Sequence, residues 1–196
     1  MATNTAGRVE DRGATQGDQS DDESPDKERR HPTPVRRTVG LRELLRGGIA
    51  GLAATVTMTI AMELMFQRLP RTQRFALPPR VLVLNVAART GAWRSMDRQA
   101  RDRATIVAHF AFGATTGTVF SAIAARAPLS PPLVGLLYGI AVYLVSYAGW
   151  IPAMRLYPSP KDDTPHRALL MVAAHLVWGG TLGVVEAQAR HLRAKA

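Results

Sequence analysis

Residues 104–125 read ATIVAHFAFGATTGTVFSAIAA, without one formal charge. The hydrocarbon core of a bilayer needs about 20 apolar residues of helix, and this stretch supplies them. Three further runs do the same: 47–66, broken only by Glu63, then 133–154 and 168–185. A soluble all-α core could hold one such run, but four leave too little polar surface to face water. The expectation is an all-α polytopic membrane protein with transmembrane helices over about 47–67, 104–126, 133–154 and 168–187.

The rest of the chain is of a different kind. Residues 1–40 are polar, rich in Gly, Ser, Thr and Pro with charge of both signs, as in DQSDDESPDKERRHPTPVRR. Such a segment buries too little apolar surface to offset its ordering entropy and reads as a disordered tail. It also lacks the pattern of a secretory signal peptide. The helical domain then covers 41–190, followed by a basic tail, 191–196.

The formal charge of +10 sits at span edges, not on a soluble domain. Arg42 and Arg46 precede the first span, and Arg190, Arg193 and Lys195 follow the last. This distribution favours the lipid bilayer and its anionic headgroups as partners and argues against nucleic acid. The absence of cysteine excludes disulfides, thiolate chemistry and Cys-based metal sites. Basic residues are nearly balanced between the two sides, so the positive-inside rule is close to neutral. The charged tail without an export signal favours cytoplasmic termini.

Proline-bearing loops follow spans one and three, and the short loop RAPLSPP joins spans two and three. The chain thus divides into two tandem hairpins. In the first loop, LPPRVLVLNVAARTG offers a helix over 79–91, with Val81, Leu84 and Ala88 on one side and Arg80, Arg89, Trp93 and Arg94 at its flanks. It reads either as an interfacial amphipathic helix or as a helix packed over the end of the bundle. Ser95 is the expected N-cap of the helix entering span two.

Steps of four along each span reveal one ridge apiece. They are Gly47–Gly51–Thr55–Thr59–Glu63, His109–Gly113–Gly117–Ser121, Gly135–Gly139–Tyr143–Tyr147 and His175–Gly179–Gly183–Ala187. Residues four apart share a helix face, and small residues there let membrane helices approach closely. These ridges are the expected contact faces. Because spans two and four return, Glu63, His109, His175, Tyr147 and Trp150 should lie on one membrane side, with Trp150 and Pro152 as a roof.

An ionisable group inside a span costs roughly 2.5–3.5 kcal/mol on insertion scales, which makes function the first hypothesis. Three readings of the cluster stay open. The imidazoles bridge helices to Glu63 or Tyr147 with no further role. Alternatively, the cluster titrates, with His109 and His175 taking up protons beside Glu63. In the third, Glu63, His109 and His175 hold a metal such as zinc. Lys161, Asp162 and Asp163 in the second loop read as a solvated turn. There is no HExxH, no GxSxG, no phosphate-binding glycine loop and no paired catalytic aspartates, so neither enzymatic activity nor a cofactor is expected.

LPPR (Leu77 to Arg80), AHFAFGATTG (from Ala108), YAGWIP (Tyr147 to Pro152) and AHLVWG (from Ala174) occur in that order. In this the chain resembles the YagU-like family of bacterial inner-membrane proteins, collected as domain of unknown function 1440. The resemblance covers roughly 41–187. It implies a multi-span inner-membrane protein associated with acid resistance, with no defined mechanism. The alternative is a structural or assembly subunit that binds another membrane protein through its glycine ridges. Four spans are few for a transporter, so a pore would require a homodimer.

Overall fold

In the hydrophobic runs, main-chain polar groups can be satisfied only within the segment, which makes them helices. The computed structural model describes residues 40–195, and the tail expected over residues 1–40 lies outside them, apart from Gly40. Five helices follow: α1 (Leu41–Phe66), α2 (Pro78–Arg89), α3 (Arg98–Ala124), α4 (Pro131–Ala153) and α5 (Pro165–Lys195). Among the described residues there is no strand. All but α2 are long and apolar enough to cross a membrane.

The helices outrun their apolar segments. α3 begins at Arg98, so the charged turn before residue 104 is helical. Its N-cap is Asp97, whose carboxylate accepts from the Ala100 N–H at 2.7 Å, and not Ser95. Ser95 sits in a 3-10 turn, Ala92–Ser95, with its hydroxyl turned back to the Ala92 carbonyl. Asp accepts more strongly than Ser and lies one residue before the first helical residue, where an N-cap belongs. At the other end, α5 continues to Lys195, so the basic segment from 191 is helix where it is described. Its 31 residues span about 46 Å, longer than the roughly 30 Å hydrocarbon core.

The fold is held by two matching hairpin crossings. A Cβ at Gly51 would strike the Gly113 carbonyl and the Gly117 Cα. A Cβ at Gly135 would strike the Gly179 carbonyl and the Gly183 Cα in the same way. Gly47 fits against Gly117, and Gly139 against His175 and Gly179. Main chain thus packs on main chain, the contact that small residues permit. The geometry equates Gly51 with Gly135 and Thr55 with Gly139. All eight ridge glycines pack within the fold, each against the other helix of its own hairpin.

α1 also packs against α5, where the Trp178 indole donates to Thr55 Oγ1 at 3.3 Å and Thr57 bonds Thr181 at 2.9 Å. α3 and α4 touch mainly near one end, where the Tyr138 hydroxyl donates to the Thr116 carbonyl and its ring lies 5.4 Å from Phe120. The outward face of α1 carries Leu45, Ile49, Leu52, Val56 and Ile60, all exposed. Apolar side chains thus cover the outside of the bundle as well as its core, as a lipid-facing surface requires.

α2 lies across one end of the bundle. Pro78 and Ala87 are buried, Asn85 Nδ2 donates to the Leu156 carbonyl at 2.7 Å, and Arg80 pairs with Asp102 at the start of α3. Val81 and Leu82 pack against the core and Ala87 is buried, while Ala88 is exposed, so the stripe expected through Val81, Leu84 and Ala88 holds at Val81 and shifts to Ala87 at its end.

α4 is not uniform. Regular helix ends at Val145, a π turn covers Ser146–Trp150, and Ile151–Ala153 completes it. Pro152 brings no N–H to the ladder, and wide turns of this kind recur at functional sites.

Candidate functional site: an apolar chamber and a buried ion pair

Below the Tyr138 contact, α3 and α4 enclose a chamber of about 640 Å³, floored by α1 and α5 and covered by α2. Ligand sites commonly fall between about 300 and 1,000 Å³. His109 reaches it from α3, His175 and Trp178 from α5, and Tyr147 and Trp150 from α4. Four of the five residues expected to cluster therefore meet.

Glu63 does not join them. It is exposed and accepts from Gln67 Nε2 at 3.2 Å. An α-helix turns 100° per residue, so four steps of four from Gly47 carry Glu63 about 160° around the axis. The buried face drifts through Ala54, Thr55 and Met58 to Met62 instead. In α4 the π turn takes up an extra residue and offsets the same drift, leaving Ser146 and Tyr147 both buried.

His175 is buried, with Nδ1 2.7 Å from the Met171 carbonyl and its ring edge-on to Tyr143 at 5.4 Å. A carbonyl only accepts, so Nδ1 carries the hydrogen and Nε2 is left as the acceptor. Without Glu63 the expected metal set is two imidazoles. Among the described residues no group of three or more His, Asp or Glu stands close enough to hold a metal ion.

Tyr147 turns its hydroxyl away from the imidazoles and donates to Asp163 Oδ2 at 2.8 Å. Asp163 is therefore no solvated turn: its side chain is 4% exposed, and it pairs with Arg167, 2% exposed, at 3.2 Å. Asp163 also accepts from the Tyr157 hydroxyl at 3.1 Å and the Thr164 N–H at 2.8 Å. Arg167 donates to the carbonyls of Gln73, Phe75 and Ala76 and to the Tyr157 hydroxyl, and its guanidinium lies 3.7 Å from the Phe75 ring centre. Every donor of this buried cation has a partner, which is the condition for keeping a charge there. Burial pushes the Tyr157 phenol above its ordinary range, against the opposite pull of Arg167. Lys161 and Asp162 are exposed, as a solvated turn requires.

Sequence reasoning missed Asp163 and Arg167. Their signal was the i, i+4 spacing of opposite charges at the start of span four, but nothing local announces that both are buried.

No curated protein and no solved structure matches the chain. One family model does, over residues 53–184, which takes in the chamber, the buried pair and every ridge glycine except Gly47 and Gly51. The protein belongs to the family described as "Protein of unknown function (DUF1440)".

Proposed function

We propose that this is a non-enzymatic, multi-pass protein of the bacterial inner membrane, with cytoplasmic termini, that contributes to acid tolerance by taking up protons on His109 and His175. The observation carrying this reading is that both imidazoles line one apolar chamber. Among the described residues no carboxylate lines it: Glu63 faces outward, and Asp163 lies behind the Tyr147 hydroxyl and is committed to Arg167. The other ionisable groups on the wall are phenols, Tyr147 on it and Tyr143 against the His175 ring.

Histidine is the side chain whose ordinary pKa brings its charge change near neutrality. Two protonated imidazoles facing one apolar space would repel each other and draw in water or anions, since an unpaired charge is costly there. External acidity would thus become a change in the contents and width of the chamber. Glu63 has no part in this mechanism.

The test is a strain carrying His109→Gln with His175→Gln. Glutamine keeps a polar side chain but takes up no proton in this range. Normal membrane levels with loss of acid survival are expected. Unchanged survival at normal levels refutes the proposal.

A further inference from the structure

The mouth of the chamber is apolar, and a cation stands beside it. Among the lining residues, Val86 of α2, Phe112 of α3, Trp150 of α4 and Met154 just after it are all more than two-fifths exposed. They mark an opening between α3 and α4, beneath α2, on the flank of the bundle. In a bilayer that flank faces hydrocarbon. Water gains little in a space walled this way, because it finds few polar partners there.

Arg101 lies on the same face of α3 as the lining residues Ala104 and Ala108, one turn further out. Its guanidinium stacks on the Trp93 ring at 3.4 Å, and Nη2 donates to the Trp93 carbonyl at 3.2 Å. Ala92 and Met96, on either side of Trp93 in sequence, line the chamber. Arg101 Nε is buried without a hydrogen-bond partner, the one buried side-chain polar atom so left among the described residues. A buried, unpaired donor on a cation calls for an anionic acceptor. Arg89, also at the mouth, is engaged by the carbonyls of Met154 and Arg155 at 2.7 and 2.8 Å and holds the rim in place.

We infer that the chamber takes one hydrocarbon chain of an anionic phospholipid, which enters between α3 and α4 with its phosphate on Arg101. The site goes beyond the proton reading, because its apolar walls and its cation are in place with both histidines neutral. The chain lies along Phe112 and reaches Trp178, while the Trp93 ring and the first turn of α3 border the headgroup. The Arg101 guanidinium then supplies the charge that holds the phosphate at the mouth.

Trp178 makes this testable, because it lines the chamber yet is only 3% exposed. The full chain with Trp93→Phe and Trp150→Phe leaves Trp178 as the sole indole and keeps a ring under Arg101. It is reconstituted into phosphatidylcholine vesicles containing a minority of phosphatidylglycerol, with mid-chain bromine on one lipid class or the other. Bromine quenches an indole only near contact. Brominated phosphatidylglycerol should quench Trp178 about fivefold more effectively than brominated phosphatidylcholine at equal fraction, the ratio expected for one basic side chain at the surface. Arg101→Gln should bring that preference close to parity, and Ala108→Phe, at the mouth, should remove the quenching. A companion protein retaining Trp150 alone should be quenched by both lipids, which verifies insertion. No quenching of Trp178 while Trp150 is quenched overturns the inference, and so does equal quenching of Trp178 by both lipids.

Discussion

The Tyr147 hydroxyl donates to Asp163 Oδ2 at 2.8 Å, so the wall of the chamber is fastened to the buried ion pair at the start of α5. One face of the Tyr147 ring lies 5.4 Å from Tyr143, and Tyr157 lies 5.6 Å away, which makes an aromatic column between the chamber and the second loop. A hydrogen bond to a charged group contributes about 1.5–3 kcal/mol. Tyr147→Phe should therefore lower thermal stability in detergent by about that much and leave the chamber volume unchanged. A stability equal to the parent's would show that the bond contributes nothing.

Arg167 is the larger test. Removing one partner of a buried pair costs about 3–5 kcal/mol, because the other charge is stranded. Arg167→Leu also leaves the carbonyls of Gln73, Phe75 and Ala76 without their donor. Loss of folded protein from the membrane fraction is expected. Arg167→Lys should rescue only in part, since one ammonium cannot replace a planar fork of five donors. Full rescue by Lys would reduce the site to simple charge neutralisation.

Adjacent glycines in α5 should behave oppositely. A Cβ at Gly179 runs into the Gly135 carbonyl and lies 2.9 Å from the Gly139 Cα, whereas one at Gly180 meets only Leu136 Cδ2, at 3.5 Å. Gly179→Ala should destabilise by about 1–3 kcal/mol through overpacking. Gly180→Ala should be neutral or stabilising by up to about 1 kcal/mol through helix propensity. Melting temperatures of the two purified variants decide it, and similar losses at both positions would contradict the crossing geometry.

Glu63→Gln should leave acid survival and membrane level unchanged, because the carboxylate stands outside the chamber and touches Gln67. A loss comparable to that of the double histidine variant would return Glu63 to the mechanism.

α4 is capped by a left-handed residue that is not glycine: Arg155, two residues past its end, has φ 54°. Leu156 N–H bonds to the Ile151 carbonyl at 3.0 Å and Arg155 N–H to the Pro152 carbonyl at 2.8 Å, the pairing of a Schellman cap. Left-handed backbone costs a residue with a Cβ roughly 1–2 kcal/mol. Arg155→Gly should raise stability by about 1 kcal/mol, read from the shift in thermal midpoint. A decrease would show that the Arg155 side chain makes a contribution larger than the strain.

The four spans, the hairpin order and the packing role of the glycines were legible in the sequence. Hydropathy over some 20 residues and spacing by four are properties of one segment at a time, so each could be read without its neighbours. The common membrane side of His109, His175, Tyr147 and Trp150 followed from direction alone. What escaped was angle and distance. A ridge counted in fours drifts on a helix of 3.6 residues per turn, which carried Glu63 outward, while the π turn kept Tyr147 in. Asp163 and Arg167 looked solvated because their partners lie elsewhere in the chain, with the Gln73 carbonyl 94 residues from Arg167. The chamber likewise exists only because α3 and α4 meet near Tyr138 and α2 covers what they leave open. Local physical chemistry chose the helices and the faces that meet. Tertiary packing alone decided which charges are buried and where the cavity lies, because burial is a property of what surrounds a residue.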